Sequence, residues 1–139
     1  AKSMEQSIKE TEAIVSELDS LGKIEACIEK AASGMQFHEA KVSFYETNGF
    51  LGADFNRENY SIGREVTWTD PEQNGYFSRD KEFVAEFQIS GRNFCYGKIR
   101  YVFMDGRSSL SVQDEVLLER VHDAFALLAG RLRKAKYKV

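Results

Sequence analysis

Apolar residues recur along the chain with two different periods. Met4, Ile8, Thr11, Val15 and Leu18 follow one another at spacings of four and three, with Glu5, Lys9, Glu10, Glu12 and Glu17 between them. That spacing is one face of a helix and predicts one from about Ser3 to Leu18. Asp19 or Ser20 then offers an N-cap for a second helix ending near Ser33, with Leu21, Ile24, Ile28 and Ala31 on its buried side. Gly34 suits the left-handed position just past a helix end. Beyond it the period falls to two. Ala40, Val42 and Phe44 alternate with Lys41, Ser43 and Tyr45, the pattern of a half-buried strand.

Thr47-Asn48-Gly49 is a hairpin turn, because Asn and Gly accept positive φ at little cost. Phe50 to Phe55 is the expected returning strand, and Glu65 to Thr69 a short strand around Trp68. Between Asn56 and Arg79 the pattern weakens. It recovers where Phe83, Ala85, Phe87 and Ile89 alternate with Val84, Glu86 and Gln88. After the turn Ser90-Gly91-Arg92-Asn93, the residues Cys95, Gly97, Ile99, Tyr101 and Phe103 are expected on one strand face. Ser111-Val112-Gln113-Asp114 opens a last helix running to about Lys136 in the manner of a capping box.

The expected fold is therefore α+β. Five or six strands form a central antiparallel sheet, and the N- and C-terminal helices pack on one of its faces. The 139 residues suit a single domain. Its parts are N-terminal helices over 1–33, a sheet with an irregular middle over 40–104, and a C-terminal helix over 111–136.

Composition adds constraints on partners. Five of the 19 basic residues (Arg131, Arg133, Lys134, Lys136 and Lys138) crowd the last nine positions, with no acid among them. The remaining basic residues stand against all 22 acids, so the body is acidic. Such a body argues against nucleic acid as a partner, since phosphate contacts need a positive surface. The basic tail has two readings. It complements the negative end of a helix dipole, which is favoured, or it lies near an anionic membrane surface. No apolar run is long enough to span a bilayer and no signal-peptide pattern opens the chain. Cys27 and Cys95 show no metal or redox spacing and fit core thiols in a cytoplasmic setting. The start at Ala1 is read as a piece of a larger protein with flanking domains.

Little catalytic chemistry is on offer. His38 and His122 have no second ligand at metal spacing and are expected at the surface or in caps. The run from Asp54 to Glu65 places oxygens at several positions of a calcium loop. Asn59 stands where that loop needs glycine, however, and no helix pattern flanks it, so no metal is expected. No nucleotide, acyl-transfer or metalloprotease motif occurs, and no cofactor is expected. Phe50, Phe55, Tyr60, Trp68, Tyr76 and Phe77 lie among polar residues. They either line a small-molecule pocket over the sheet or cover a sheet face, the latter being the default.

The run Phe83-Val84-Ala85-Glu86-Phe87-Gln88-Ile89 is followed by Tyr96-Gly97-Lys98-Ile99-Arg100-Tyr101-Val102-Phe103. Leu110-Ser111-Val112-Gln113-Asp114 and Leu117-Leu118-Glu119 come next. Together with Val42-Ser43-Phe44-Tyr45 and the order of elements, these resemble the GAF domain, a regulatory fold related to PAS. The likeness covers most of the chain. It implies a non-catalytic regulatory or sensory domain that associates through its terminal helices and binds a small molecule. The motifs of the cyclic-nucleotide, bilin and sulfoxide-reducing members are absent, so the resemblance names no ligand. Trp68, Phe83 to Ile89 and Tyr96-Gly97-Lys98-Ile99 also look like the GAF-like cytosolic tail of membrane transferases that act on polyprenyl phosphates. That likeness implies the alternative of a ligand-free dimerisation or docking tail.

On these grounds any ligand site is expected between the sheet and the segment 50–79, at Tyr45, Trp68, Phe77 and Arg79. The rings would provide packing and Arg79 would meet an anionic group. A homodimer is expected through Ile8, Val15 and Leu18 of the first helix and Leu118, Val121, Phe125, Leu128 and Leu132 of the last. Their three-four spacing suits helices packing at a shallow angle, the alternative being that one stripe is used up against the sheet or against the other helix of the same chain. Leu117, Ala124 and Leu127 widen that apolar arc, which suggests a second covered surface.

Overall fold

A computed structural model describes residues 3–18, 20–56, 59–71 and 82–136. Helix α1 spans Met4–Glu17, capped by the Ser3 hydroxyl, which accepts from the Gln6 amide at 3.2 Å. A short 3-10 turn over Leu21–Lys23 leads into α2, Ile24–Met35. The strands are β1 (Glu39–Thr47), β2 (Phe50–Leu51), β3 (Ala53–Asp54), β4 (Ser61–Thr69), β5 (Phe83–Ser90) and β6 (Phe94–Phe103). Helix α3, Val112–Lys134, starts in a complete capping box between Ser111 and Asp114. The fold is α+β, a six-stranded antiparallel sheet with the helices on one face. No helix among the described residues is long and apolar enough to cross a membrane.

β1 and β6 form the centre of the sheet, β4 flanks β1 and β5 flanks β6. The expected Asn-Gly hairpin forms, with Asn48 at φ 55° and Gly49 at φ 86°. The returning strand is not continuous. Gly52, at φ 97°, breaks it, so β2 stays on β1 while β3 steps across to β6. β4 is longer than its own residues suggest, because it pairs along almost all of β1. Here tertiary pairing outweighs weak local preference.

Period two assigns the faces. Ala40, Val42 and Phe44 of β1 lie beside Tyr101, Ile99 and Gly97 of β6, and all face the helices in one buried core. Gly97 is required there by a close approach, since a Cβ would sit 2.2 Å from the Ser43 carbonyl oxygen. One strand expectation is corrected at a bulge. Ile89 pairs with Gly97 but Ser90 pairs with Cys95, which leaves Tyr96 as the extra residue. Cys95 therefore turns away from the helices and clusters with Tyr45 and Ala53, while Tyr96 joins the main core.

Helix α1 packs against both α2 and α3, with α2 over β4 and α3 over β5. The α1–α2 contact is close and partly polar. Ser7 and Ser33 hydroxyls meet at 3.0 Å, and the buried Thr11 hydroxyl donates to the Ser7 carbonyl at 2.8 Å. Gly34 is not the helix cap. It lies inside α2 against α1, and Gln36 takes the left-handed position at φ 60° instead.

The expected dimer seam is corrected by the same packing. Ile8, Val15, Leu18, Leu118, Val121, Phe125, Leu128 and Leu132 are all between 0% and 7% exposed in the single chain. They hold α1 and α3 to each other and to the core, so they are not a surface for a partner. Of the three residues that widen the arc, Ala124 is buried, Leu117 is half-buried and only Leu127 points outward.

Candidate functional site

The chain leaves α2 through the left-handed Gln36 and enters β1 by way of Phe37 and His38. Both are buried, and the backbone here is fixed on two sides. The His38 amide donates to the Val102 carbonyl at 2.7 Å, and the Asp70 amide donates to the His38 carbonyl at 2.9 Å. The Phe37 ring meets Trp68 edge-on with centroids 5.5 Å apart, and packs against Tyr101 at 4.9 Å. Trp68 reaches this position because it pairs with Ala40, on the helix-facing side of β4. Burying rings of this size contributes about 1.5–3 kcal/mol each.

Between the end of α2, the end of β4 and the turn after β6 lies a cleft of about 490 Å³. Phe37 and Trp68 line it, with His38, and carboxylates come from Glu29, Asp70 and Asp105. Asp105 is paired with Arg107 at 2.7 Å, and the Arg107 guanidinium holds its carboxyl below the usual range. The same guanidinium stacks 4.1 Å over the Phe103 ring. The described rim is thus apolar at its base and acidic around it. It suits a compact ligand with a flat apolar part and donor or positive groups.

The four residues expected to bind ligand do not converge. Trp68 lines the cleft, on the helix side of the sheet. Tyr45 is on the opposite side, because it follows Phe44 by one residue. There it packs on Tyr60 at 4.8 Å and meets Gln88 at 3.4 Å. Phe77 and Arg79 lie outside the described residues. On the far face Lys41 pairs with Glu65 at 3.1 Å, and the Ser43 hydroxyl donates to the same carboxylate at 3.0 Å. These contacts draw the Glu65 carboxyl below its ordinary value. They also place Glu65 in a sheet row rather than a calcium loop. Among the described residues no group of three or more His, Cys, Asp or Glu could hold a metal ion.

Both histidines are buried, contrary to the expectation of surface or capping positions. His122 Nε2 is 2.8 Å from the Tyr101 hydroxyl, under α3, with the Phe87 ring alongside at 4.9 Å. Burial lowers its pKa from 6.5 to about 4 and pushes the Tyr101 phenol well up. Burial also pushes the Cys27 thiol up to about 11. Phe37 and His38 carry no periodic signal in sequence, since they sit between a helix and a strand. The place of His122 could have been read from the helical period, because it neighbours Val121 and Phe125 on the inner arc.

The basic end of α3 has work within the chain. Arg131 donates to the carbonyls of Val15 (3.3 Å), Ser16 (3.4 Å) and Leu18, which closes the C-terminal end of α1. Arg133 donates to the Leu51 carbonyl and stacks 3.9 Å over Phe94. Arg131 thus meets the carbonyl end of α1, whereas Arg133 meets strands β2 and β6 and no helix end.

No family model matches this chain, and no curated protein or solved structure matches it.

Proposed function

We propose that the chain is a non-catalytic regulatory domain of GAF type, whose helices respond to a small molecule bound in the cleft beside Trp68. The cleft itself carries this reading. It has an aromatic base and an acidic rim, and it sits where α2 and the sheet edge meet. A ligand there would touch α2 and β4 together and so bias how α2 seats on the sheet. The chemically versatile groups of the core are held in unreactive forms, which supports a binding rather than a catalytic role. The His122 imidazole stays neutral and the Cys27 thiol stays protonated near neutral pH. Two buried free thiols accord with a reducing, cytoplasmic setting.

Trp68 is the sole tryptophan, so its fluorescence reports on the cleft directly. Screening compact aromatic amines against aliphatic acids of similar size tests the assignment. Saturable changes in Trp68 emission with the amines are expected, weakened by Asp70→Asn roughly ten- to a hundredfold, as befits a charge-assisted hydrogen bond of about 1.5–3 kcal/mol. Emission unmoved by any amine, or amine binding unaffected by Asp70→Asn, would count against the site.

A further inference from the structure

We propose that the cleft between the β5–β6 turn and the end of α3 binds the terminal phosphate of a phosphate monoester, with the Tyr96 hydroxyl as its buried donor. Tyr96 is the extra residue of the β6 bulge and is 8% exposed. Glycines from three parts of the chain shape the slot that holds its ring. A Cβ at Gly91, in the turn, would lie 2.6 Å from the ring, and one at Gly52 would lie 3.1 Å from it. A Cβ at Gly130 of α3 would lie 3.2 Å from the hydroxyl oxygen. Packing alone would be served by phenylalanine, yet the chain places a hydroxyl here. That hydroxyl makes no hydrogen bond with any described residue. No sealed side-chain nitrogen or oxygen among the described residues lacks a partner, so the hydroxyl is open to the cleft that Tyr96 lines. A tyrosine hydroxyl this deep ordinarily has a partner, and the cleft is where one enters.

The charges around the hydroxyl select the ligand. The cleft, of about 460 Å³, is lined by Arg92, Arg133 and Lys134 and by no carboxylate. Arg92 and Lys134 make no ion pair with any described residue. Arg133 donates to the Leu51 carbonyl and stacks 3.9 Å over the Phe94 ring, and neither contact cancels its charge. An adjoining hollow shares Arg92, Tyr96 and Lys134 and adds Asp123 and Arg131, one charge of each sign. The negative end of the α3 dipole amounts to about half a charge, which three cations outweigh. That dipole gives Lys134 a reason to be on the helix, but it gives none for Arg92 in a strand turn. A phosphate monoester, with a charge of about −1.5 to −2 near neutral pH and three acceptor oxygens, matches this set of donors. The phosphate fills only part of the cleft. Phe94, its ring centroid 6.3 Å from that of Tyr96, gives an apolar wall for the organic part. The cleft shares no lining residue with the one beside Trp68, whose rim is acidic, so the two select opposite charges.

The test titrates the intact domain with phenyl phosphate in a calorimeter, with phenol as the uncharged control. A second arm measures co-sedimentation with phosphatidylcholine vesicles carrying either phosphatidate, a monoester, or phosphatidylserine, a diester. Binding of phenyl phosphate assigns a soluble ester as the source of the phosphate. Binding to phosphatidate vesicles alone assigns a lipid headgroup. In either case Tyr96→Phe and Arg92→Gln should each weaken binding roughly ten- to a hundredfold, as loss of a hydrogen bond to a charged group does. Tyr96→Phe keeps the ring and Arg92 is exposed, so both variants should keep their melting temperature. Asp70→Asn, in the cleft beside Trp68, should leave phosphate binding unchanged, which keeps the failure of one site distinct from that of the other. No binding in either arm at millimolar ester, equal binding to both kinds of vesicle, or an affinity unmoved by Tyr96→Phe would overturn the proposal.

Discussion

Burial of His122 makes stability depend on pH in a direction and window that the structure specifies. In the unfolded chain its imidazole takes up a proton as the pH falls through 6.5, whereas in the fold it stays neutral until about pH 4. Within that window the unfolded state binds the extra proton, so acidification favours unfolding. The contribution of His122 is complete above pH 6.5 and is lost as the pH falls toward 4. A difference of this size corresponds to about 3 kcal/mol in all, and to about 2 kcal/mol at pH 5. Against the 5–15 kcal/mol usual for a domain, the loss is readily measured. Carboxylates titrate in the same range, so the comparison must be with a His122→Gln variant, whose amide can still bond the Tyr101 hydroxyl. Urea unfolding at pH 7.5 and pH 5 should show the unmodified chain losing about 2 kcal/mol more than the variant. Equal losses in the two proteins would refute the claim that His122 is held neutral in the core.

Gly34→Ala sets two effects against each other. Alanine favours a helix interior by about 1 kcal/mol, but its Cβ would lie 2.8 Å from the Met4 Cα and 2.7 Å from the Ser7 Oγ. Overpacking against backbone should win, with a net loss of about 1–2 kcal/mol in urea unfolding. Leu128→Ala should cost about 2–5 kcal/mol as a buried truncation, while Leu127→Ala, one residue away, should change thermal stability of the monomer by less than about 0.5 kcal/mol. Arg131→Ala should fray the end of α1, seen as faster amide exchange over residues 15–18 in hydrogen-exchange measurements.

Much of the fold was legible because the hydrophobic period changes cleanly. The capping box at Ser111, the Asn-Gly hairpin and the alternation of Phe83 to Ile89 are local signals, and the structure realises each of them. What sequence periodicity could not show is how one stripe finds its partner. The three-four repeats of α1 and α3 look the same whether they meet within a chain or between chains, and here they meet within it. Bulges were equally hidden. The extra residue at Tyr96 moves Cys95 to the other face, although strict alternation places it with Gly97. Of the residues that line the cleft, Trp68 was legible as an aromatic at the end of a strand. Phe37 was not, because it gains its place only when α2 and β1 are both in position. Alternation with Phe44 already puts Tyr45 on the outer face, whereas only the pairing of Trp68 with Ala40 puts that ring on the helix side.

The account turns on whether the cleft beside Trp68 receives a ligand, and the amide and indole spectrum of the nitrogen-15-labelled domain tests this most directly. Titration with the best aromatic amine from the fluorescence screen should shift the Trp68 indole and the amides of Gln36, His38 and Asp70. The resonances of Tyr45, Ser43 and Lys98 on the opposite face should stay in place. Shifts gathered on that opposite face, or no shifts near Trp68 at millimolar amine, would contradict it.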